Sequence, residues 1–501
     1  MNSTTRIRPS KEIELKLALP MADLSSLAKR LAQLPVLARR KATHLYLHNV
    51  YYDTPAQLLR QQSVALRIRR KGSDAKPQWL QTLKTGGRDN SALSQRGEWE
   101  TPVSGPTPSL EALEATPWSD IDPDGSAFAA LEPKFVTAFK RISWRVRRRG
   151  GGIVEVALDI GQIVAGEKKA EICELEFELL AGPTFELFDV AQQIAGTIAV
   201  LPLNASKAER GYALAQDSLD TPTQAQPPTL KPELPLSEAA RRVLGETFCQ
   251  FTTNLAALRT SEDPEVVHQA RVGWRRFKSA LRLFKPTLAA RAVPSWHGLQ
   301  ALLTGLGDLR ILEVAQTDTL PSLADAYIAG DARRAQAWQA MAKAMAHATN
   351  LQRKAVRQAL REPTVGATLL SATQWLEELT VAQVSGHERL KQRMCLGRWA
   401  RRRIIHLHDQ LQRACKDVES PESQHRARIL AKRLRYGIEA MSSLLPHKRT
   451  KRWLRKAMNM QTRLGAARDI MQAVAAVRGL DTNRALVEFL RGVTVGQTRP
   501  R

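Results

Sequence analysis

From the N-terminus to about residue 215, apolar and charged side chains alternate with period two in one segment after another. Glu12, Glu14 and Lys16 alternate with Ile13, Leu15 and Leu17, and Arg67 and Arg69 with Leu66 and Ile68. Glu98 and Glu100 flank Trp99, while Arg141, Ser143, Arg145 and Arg147 alternate with Ile142, Trp144 and Val146. Glu155 and Asp159 oppose Val154, Val156, Leu158 and Ile160, and Glu174, Glu176 and Glu178 alternate with Leu175, Phe177 and Leu179. Period two predicts half-buried strands. A merely wet face mixes in Ser, Thr and Gln; here each strand's polar face is mostly acidic or mostly basic. That segregation predicts a barrel with its charged faces turned inward, where water, metal and a polyanion make their burial tolerable. Helical spacing over 21–37 and 185–195 interrupts the strands.

The texture changes at Asp217–Pro235, rich in Pro, Thr and Gln and without periodicity, which reads as a linker. Beyond it, Ala, Leu, Arg and Gln recur at helical spacing, with Pro264, Pro286, Pro363 and Pro446 where helices start or stop. The expected fold class is therefore α+β: a tunnel domain over 1–216, a linker over 217–235 and an all-α domain over 236–501. The second half also contains a repeat. His268-x-x-Arg271-x-x-x-Arg275-Arg276 recurs as His425-x-x-Arg428-x-x-x-Lys432-Arg433, and Leu306-Gly307-Asp308-Leu309-Arg310 as Leu464-Gly465-Ala466-Ala467-Arg468. Two motifs recurring at nearly one interval predict duplicated helical halves about a pseudo-two-fold axis. On a helix, His268, Arg271, Arg275, Lys278 and Arg282 share an arc of roughly 80°, and so do His425, Arg428, Lys432 and Arg435. Phe277, Leu281 and Phe284 take a separate, core-facing arc. Like charges stacked along one face destabilise an isolated helix, so their duplication predicts a shared anion-binding channel.

Charge is distributed unevenly. Residues 1–220 carry 29 Lys/Arg against 26 Asp/Glu, whereas 221–501 carry 46 against 23. The partner of the second half is expected to be a polyanion. Nucleic acid is the weaker candidate, because aromatic residues make up 5% of the chain and do not alternate with the basic ones. The four cysteines lack C-x-x-C spacing, and no apolar run reaches the length of a membrane span. A cytoplasmic protein without a membrane partner is expected.

The chemistry that suits such a bore is attack on a polyphosphate. Arg67, Arg69, Lys84, Arg141 and Arg145 are suited to clamping phosphate oxygens, and Glu12, Glu14, Glu174 and Glu176 to holding Mg²⁺ or Mn²⁺ through hard oxygen ligands. Glu176 is a candidate general base. No GxxxxGK[ST] loop, HExxH or Ser/His/Asp motif offers a different route.

As a set, these residues resemble the CYTH family of triphosphate tunnel metalloenzymes. The resemblance covers roughly residues 8–216. It rests on Glu12-x-Glu14-x-Lys16, Leu66–Arg69, Thr82-Leu83-Lys84, Arg96–Glu100, Glu155–Asp159, the Glu174/Glu176/Glu178 strand and Ser206-Lys207-x-x-Arg210-Gly211-Tyr212. It implies an eight-stranded antiparallel tunnel with flanking helices, holding a triphosphate and a divalent metal. It adds Lys16 to the catalytic set, Asp159 to the metal ligands and Lys207 to the substrate contacts. The second half resembles a CHAD domain over about 236–495, through Val267–Arg276 and His425–Tyr436, with Ile311 and Glu439 departing from their counterparts Asp469 and Arg282. That resemblance implies long-chain polyphosphate binding by the basic positions, with Arg310 and Arg468 included. Fusion of the two resembles bacterial CYTH–CHAD proteins that hydrolyse inorganic triphosphate to pyrophosphate and phosphate. The rivals are an adenylate cyclase, a thiamine- or nucleoside-triphosphatase of the same fold, and a non-catalytic polyphosphate binder. Retention of four lumen carboxylates argues against the last.

Overall fold

Every segment with period-two alternation is a strand in the computed structural model, which describes residues 10–20, 24–72, 77–86, 91–288, 292–379, 395–416, 420–480 and 484–498. The strands are β1 (Ser10–Ala18), β2 (Ala42–Asp53), β3 (Val64–Lys71), β4 (Gln78–Gly86), β5 (Leu93–Val103), β6 (Glu132–Arg147), β7 (Ile153–Ala165), β8 (Lys168–Ala181) and the two-residue β9 (Leu201–Pro202). They run in the order β5-β4-β3-β2-β6-β7-β8-β1-β9, and β1 also pairs with β5, so β1 to β8 close into an antiparallel barrel. The chain divides into two units: residues 1–221 with 361–374, and residues 222–360 with 375–501.

Closure sorts the alternating side chains. Leu15, Leu17, Val154, Val156, Leu158, Leu175 and Phe177 pack outward, under helices α1 (Leu24–Gln33) and α2 (Thr184–Ala195), in one buried apolar cluster. Full burial of a side chain of this size contributes about 1.5–3 kcal/mol. Their charged neighbours are left to the bore. One end of that bore is plugged. Leu47, Phe135, Phe139, Ile163 and Ile172, on the inward parity, close around Tyr212 and Leu214 of helix α3 (Lys207–Ala215). The plug requires Gly211, where a Cβ would lie 2.2 Å from the Phe135 ring. Gly211→Ala is expected to destabilise the protein by about 1–3 kcal/mol through overpacking. A thermal melt checks this, and an unchanged midpoint would mean that the Phe135 ring turns aside at no cost.

In the second unit, α4 (Leu236–Ala257), α5 (Pro264–Leu283), α6 (Gln300–Val314) and α7 (Ala332–Ala359) precede α8 (Pro363–Glu378). The start of α8 belongs to the barrel unit, where Leu370 joins the outer apolar cluster. Then come α9 (Leu396–Ala414), α10 (Pro421–Ala440), α11 (His447–Arg478) and α12 (Arg484–Thr498). The duplication is visible in the packing: α4 pairs with α5 as α9 does with α10, and α6 with α7 as α11 does with α12. Equivalent helices meet across the axis, α5 against α10 and α6 against α11. The caps repeat too. Asp263 caps α5 and Ser420 caps α10, each followed by proline at the first helical turn, where a missing N–H costs nothing. The segment before α4 has no helix or strand, but it is strapped to this unit. Thr223 N–H donates to Asn254 Oδ1 at 3.0 Å, Gln226 N–H to Glu246 Oε1 at 2.8 Å and Leu230 N–H to Ser443 Oγ at 3.0 Å.

Candidate active site and basic helical seam

The ladder register brings the predicted residues together inside the barrel. Across β1 and β8, Lys16 faces Glu176 and Glu14 faces Glu178; across β6 and β7, Arg141 faces Asp159; across β7 and β8, Asp159 faces Glu174. Glu12, Glu14, Lys16, Arg67, Arg69, Asp159, Glu174, Glu176 and Lys207 are all buried. Charge at this density survives burial only when paired, and every one of them has a partner of opposite charge.

The centre of the acidic half is the trio Asp159, Glu174 and Glu176, each turning a carboxylate oxygen to a point where the three lie within 4.8 Å of one another. Lys207, the first residue of α3, donates from Nζ to Asp159 at 2.6 Å, Glu174 at 2.6 Å and Glu176 at 2.7 Å. Arg141 donates to both oxygens of Asp159, at 2.7 and 2.6 Å, and also to Glu176. Burial alone would raise the Glu176 carboxyl, but Lys207, Arg141 and Lys16 hold it well below the usual range. A carboxylate so fully ionised suits a cation better than a proton, so Glu176 is a stronger candidate for ligand than for general base. Burial would likewise depress Lys207, and the three carboxylates outweigh it and hold the ammonium above its ordinary value.

Around the bore, Lys84 Nζ donates to both oxygens of Glu12 at 2.8 and 2.9 Å. Arg96 spans the Glu-x-Glu pair, 2.9 Å from Glu12 and 2.8 Å from Glu14, and Lys16 bonds Glu14. Arg69 donates to Asn49 Oδ1 at 2.8 Å, and Arg67 lies 3.6 Å from Glu98. Burial, with Arg67 and Arg141 nearby, lowers the Arg69 guanidinium to about 10, because Glu100 at 3.7 Å offsets the burial and the neighbouring cations only in part. Arg67 Nε is buried and has no hydrogen-bond partner.

Two residues carry more than their sequence reading assigned. Arg96 has the inward parity of Glu98 and Glu100, and that alternation was the available signal. Glu178 faces Glu12, Glu14, Glu98 and Glu155, and burial followed by these like charges pushes its carboxyl up to about 7. One predicted residue is not brought in. Arg145 shares the parity of Arg141 but lies further along β6 with its side chain 63% exposed, and its nearest anion is Glu155 at 4.0 Å.

In the helical unit the basic arcs converge where α5, α6, α10 and α11 meet. Burial, then Arg428, Arg275, Arg468 and Arg271, depress the Lys432 ammonium to about 8. Burial, Arg275 and Arg310 bring Arg271 to about 10, and burial with Arg310 lowers His268. Cations from four helices thus sense one another with few anions between them, and the Nε groups of Arg275 and Arg428 are buried with no hydrogen-bond partner. Gly307 leaves room for this crowding, since a Cβ there would sit 2.9 Å from Arg271 Nη1. The side chains of Leu464, Gly465, Ala466 and Ala467 lie outside the described residues.

Three of the predicted anion contacts have surroundings that set them apart from the converging cations. Arg276 points away from the seam, 3% exposed, and is tied to Glu246 at 3.0 Å and Gln250 at 2.7 Å. It lies one residue, about 100° of helix, off the Arg275 face. Arg435 pairs with Glu439 at 2.7 Å on its own helix. His425 is exposed, unlike half-buried His268, so the two halves present unequal surfaces. Lys278 and Arg282 are exposed on α5, and Arg433 is half-buried near Arg282.

Fold and site together define a class: a charged antiparallel β-tunnel followed in one chain by a duplicated basic helical bundle. The CHAD domain family matches residues 207–478, more than half of the chain, and the chain belongs to that family; the CYTH domain matches residues 10–212. Residues 207–212 fall in both matches and, in the structure, form the start of the barrel plug α3. An inorganic triphosphatase from Haemophilus influenzae is 36% identical over 211 residues, 41% of this chain. The chain spans 55% of the length of that relative. Among solved structures, the CHAD domain from the plant Ricinus communis is 28% identical, covering 55% of this chain and 91% of its own, with a TM-score of 0.45. The Hippeastrum protein HpAC1, reported with a dominant triphosphatase activity, is 20% identical over 42% of this chain and 96% of its own, with a TM-score of 0.31. Among the described residues no helix is long and apolar enough to cross a membrane.

Proposed function

We propose that the barrel hydrolyses inorganic triphosphate to pyrophosphate and phosphate with the help of Mg²⁺ or Mn²⁺, and that the helical seam binds long-chain polyphosphate. The observation that carries the first part is the lumen itself, in which the carboxylate trio of Asp159, Glu174 and Glu176 stands beside Arg141 and Lys207. The inorganic triphosphatase similar to the N-terminal region supports the same reading.

The trio fits a divalent cation in donor type, being all carboxylate oxygen, and in spacing. Glu12 and Glu14 supply a second pair of carboxylates. A bound Mg²⁺ or Mn²⁺ supplies charge neutralisation on phosphate oxygens and an acidified water. The chain does the rest. Arg67, Arg69 and Arg141 grip phosphate oxygens, with Arg69 gaining a closer counter-ion than Glu100 at 3.7 Å. Lys84 and Arg96 hold Glu12 and Glu14 in place, and Lys16 orients Glu14 opposite the Glu178 position. The α3 plug closes one end, so the substrate enters from the other, past Arg145. Phosphate release from inorganic triphosphate, ATP, thiamine triphosphate and long-chain polyphosphate, with each metal, tests this. Turnover of inorganic triphosphate should lead; preference for ATP or thiamine triphosphate would transfer the site to the rival activities.

For the seam, the carrying observation is the convergence of Arg271, Arg275, Arg428, Lys432 and Arg468, close enough that burial and cationic neighbours lower Arg271, Arg428 and Lys432. A polyanion relieves that repulsion, so long-chain polyphosphate should outcompete duplex DNA for the full chain at moderate salt. Equal competition with a simple salt slope would indicate unspecific attraction. The affinity should also depend on pH. Free Lys432, facing Arg428, Arg271, Arg275, Arg468 and Asp469, titrates at about 8. An anion raises that value, so its contribution is complete below pH 8 and fades between the free and bound values. Polyphosphate titrations at pH 6.5 and 9.5 should differ by several-fold, and Lys432→Arg should flatten the profile. A profile unchanged by that replacement would remove Lys432 from the site.

A further inference from the structure

A cleft of about 610 Å³ opens beside the seam, between α5, the segment leading into α6, and α6 itself. Arg271, Arg275 and Lys278, successive turns of α5, line one side of it. The rest of the lining holds no Arg or Lys: Trp274 of the same helix, Trp296 and Leu303, with His297, Gln300 and Thr304. Trp296 stands edge-on to Trp274 at 5.4 Å and to Phe277 at 5.5 Å, so its indole is braced and only half-buried. The cavity lies within the range of about 300–1,000 Å³ for small-molecule sites.

An inorganic phosphate chain has no apolar surface, so a wall of indole and leucine offers it nothing. An aromatic ring carrying phosphates uses both kinds of lining. From this juxtaposition we propose that the cleft is a nucleoside-phosphate site, the phosphates on Arg271, Arg275 and Lys278 and the base against Trp296 and Leu303. Gln300, Thr304 and His297 supply hydrogen-bonding groups for the base edge, and the buried, unpartnered Nε of Arg275 is a donor awaiting an acceptor. The repeat gives an internal control. The position equivalent to Trp274 in the second half is Ala431, and the equivalent of Lys278 is Arg435, which is engaged by Glu439. Trp296 does have a counterpart at that interval, Trp453, but it is buried and stacked on His408, and Ala431 leaves it without the partner that Trp274 provides, so the tryptophan pair beside the cations occurs in the first half only. This inference rests on the seam as a phosphate track and adds a ligand class to it.

The test uses the full chain in EDTA, titrating ATP and inorganic triphosphate by calorimetry. The expected result is that Trp296→Ala weakens ATP about tenfold, the effect of one lost base stack, and leaves triphosphate unchanged. Trp296→Phe should retain most of the ATP affinity, which separates loss of the ring from loss of packing. Arg275→Ala should weaken both ligands. An ATP affinity indifferent to Trp296→Ala, or an equal loss for both ligands, overturns the nucleoside site while leaving the phosphate track intact. If Arg275→Ala changes neither ligand, the track fails and the cleft with it. Photolabelling with 8-azido-ATP should mark peptides within 274–304, and labelling confined to barrel peptides also overturns the proposal.

Discussion

Glu176→Ala is expected to lower triphosphate turnover by about a thousandfold or more, with the fold retained. Glu176 lies in the bore directly across the β1/β8 ladder from Lys16 and accepts bonds from Lys207 and Arg141. Its removal takes one ligand from the trio, and with it the carboxylate that both cations are aimed at. Lys207 and Arg141 keep Asp159, and Lys207 keeps Glu174, so no buried charge is stranded and the barrel should melt near the wild-type temperature. Phosphate release beside a thermal melt separates the two effects. Wild-type turnover in this variant would end the case for a cation at the trio.

The second large effect is on stability. Lys207→Ala should cost the metal-free protein about 3–5 kcal/mol, because it leaves buried carboxylates with too little compensating charge. Asp159 and Glu174 are 0% and 1% exposed, and with Lys207 gone they rely on Arg141 and Arg210. The sign with pH follows. A buried carboxylate short of cations has its folded pKa raised above the unfolded one. The penalty is then full above the folded value and shrinks as pH falls toward the unfolded value, so the variant should recover relative to wild type in acid. Mg²⁺ or Mn²⁺ should raise its melting temperature more than it raises that of wild type, since the ion no longer competes with the lysine. A melt unmoved by the substitution would show that Lys207 neutralises nothing. Equal metal shifts in the two proteins would place the cation away from the trio.

Much of this was legible in one dimension because period two is strict. A strand that puts Ile13 and Leu15 outward must put Glu12 and Glu14 inward once the sheet closes, and no tertiary detail alters that parity. The helical repeat was legible for a similar reason: duplicated helices keep their seam at fixed spacing. Rim and interior could not be separated this way, because Arg141 and Arg145 have the same parity and differ only in depth along β6. Nor could Arg276 be told from Arg275 by type. One step around the helix turned it from the seam to Glu246 on α4, a partner 30 residues away.

The sequence by itself determined which faces are ionic, which are apolar, and that the basic helices come as a pair. Only the tertiary structure decided that α3 plugs the bore, that Lys207 reaches Asp159, Glu174 and Glu176 together, and that Trp296 lines a cleft with Trp274 whereas its repeat counterpart Trp453 is buried against His408. The physical reason is that alternation and helical spacing are local properties of the backbone. Burial depth and the partner of each charge depend on residues brought together from distant parts of the chain, such as Lys207 and Asp159.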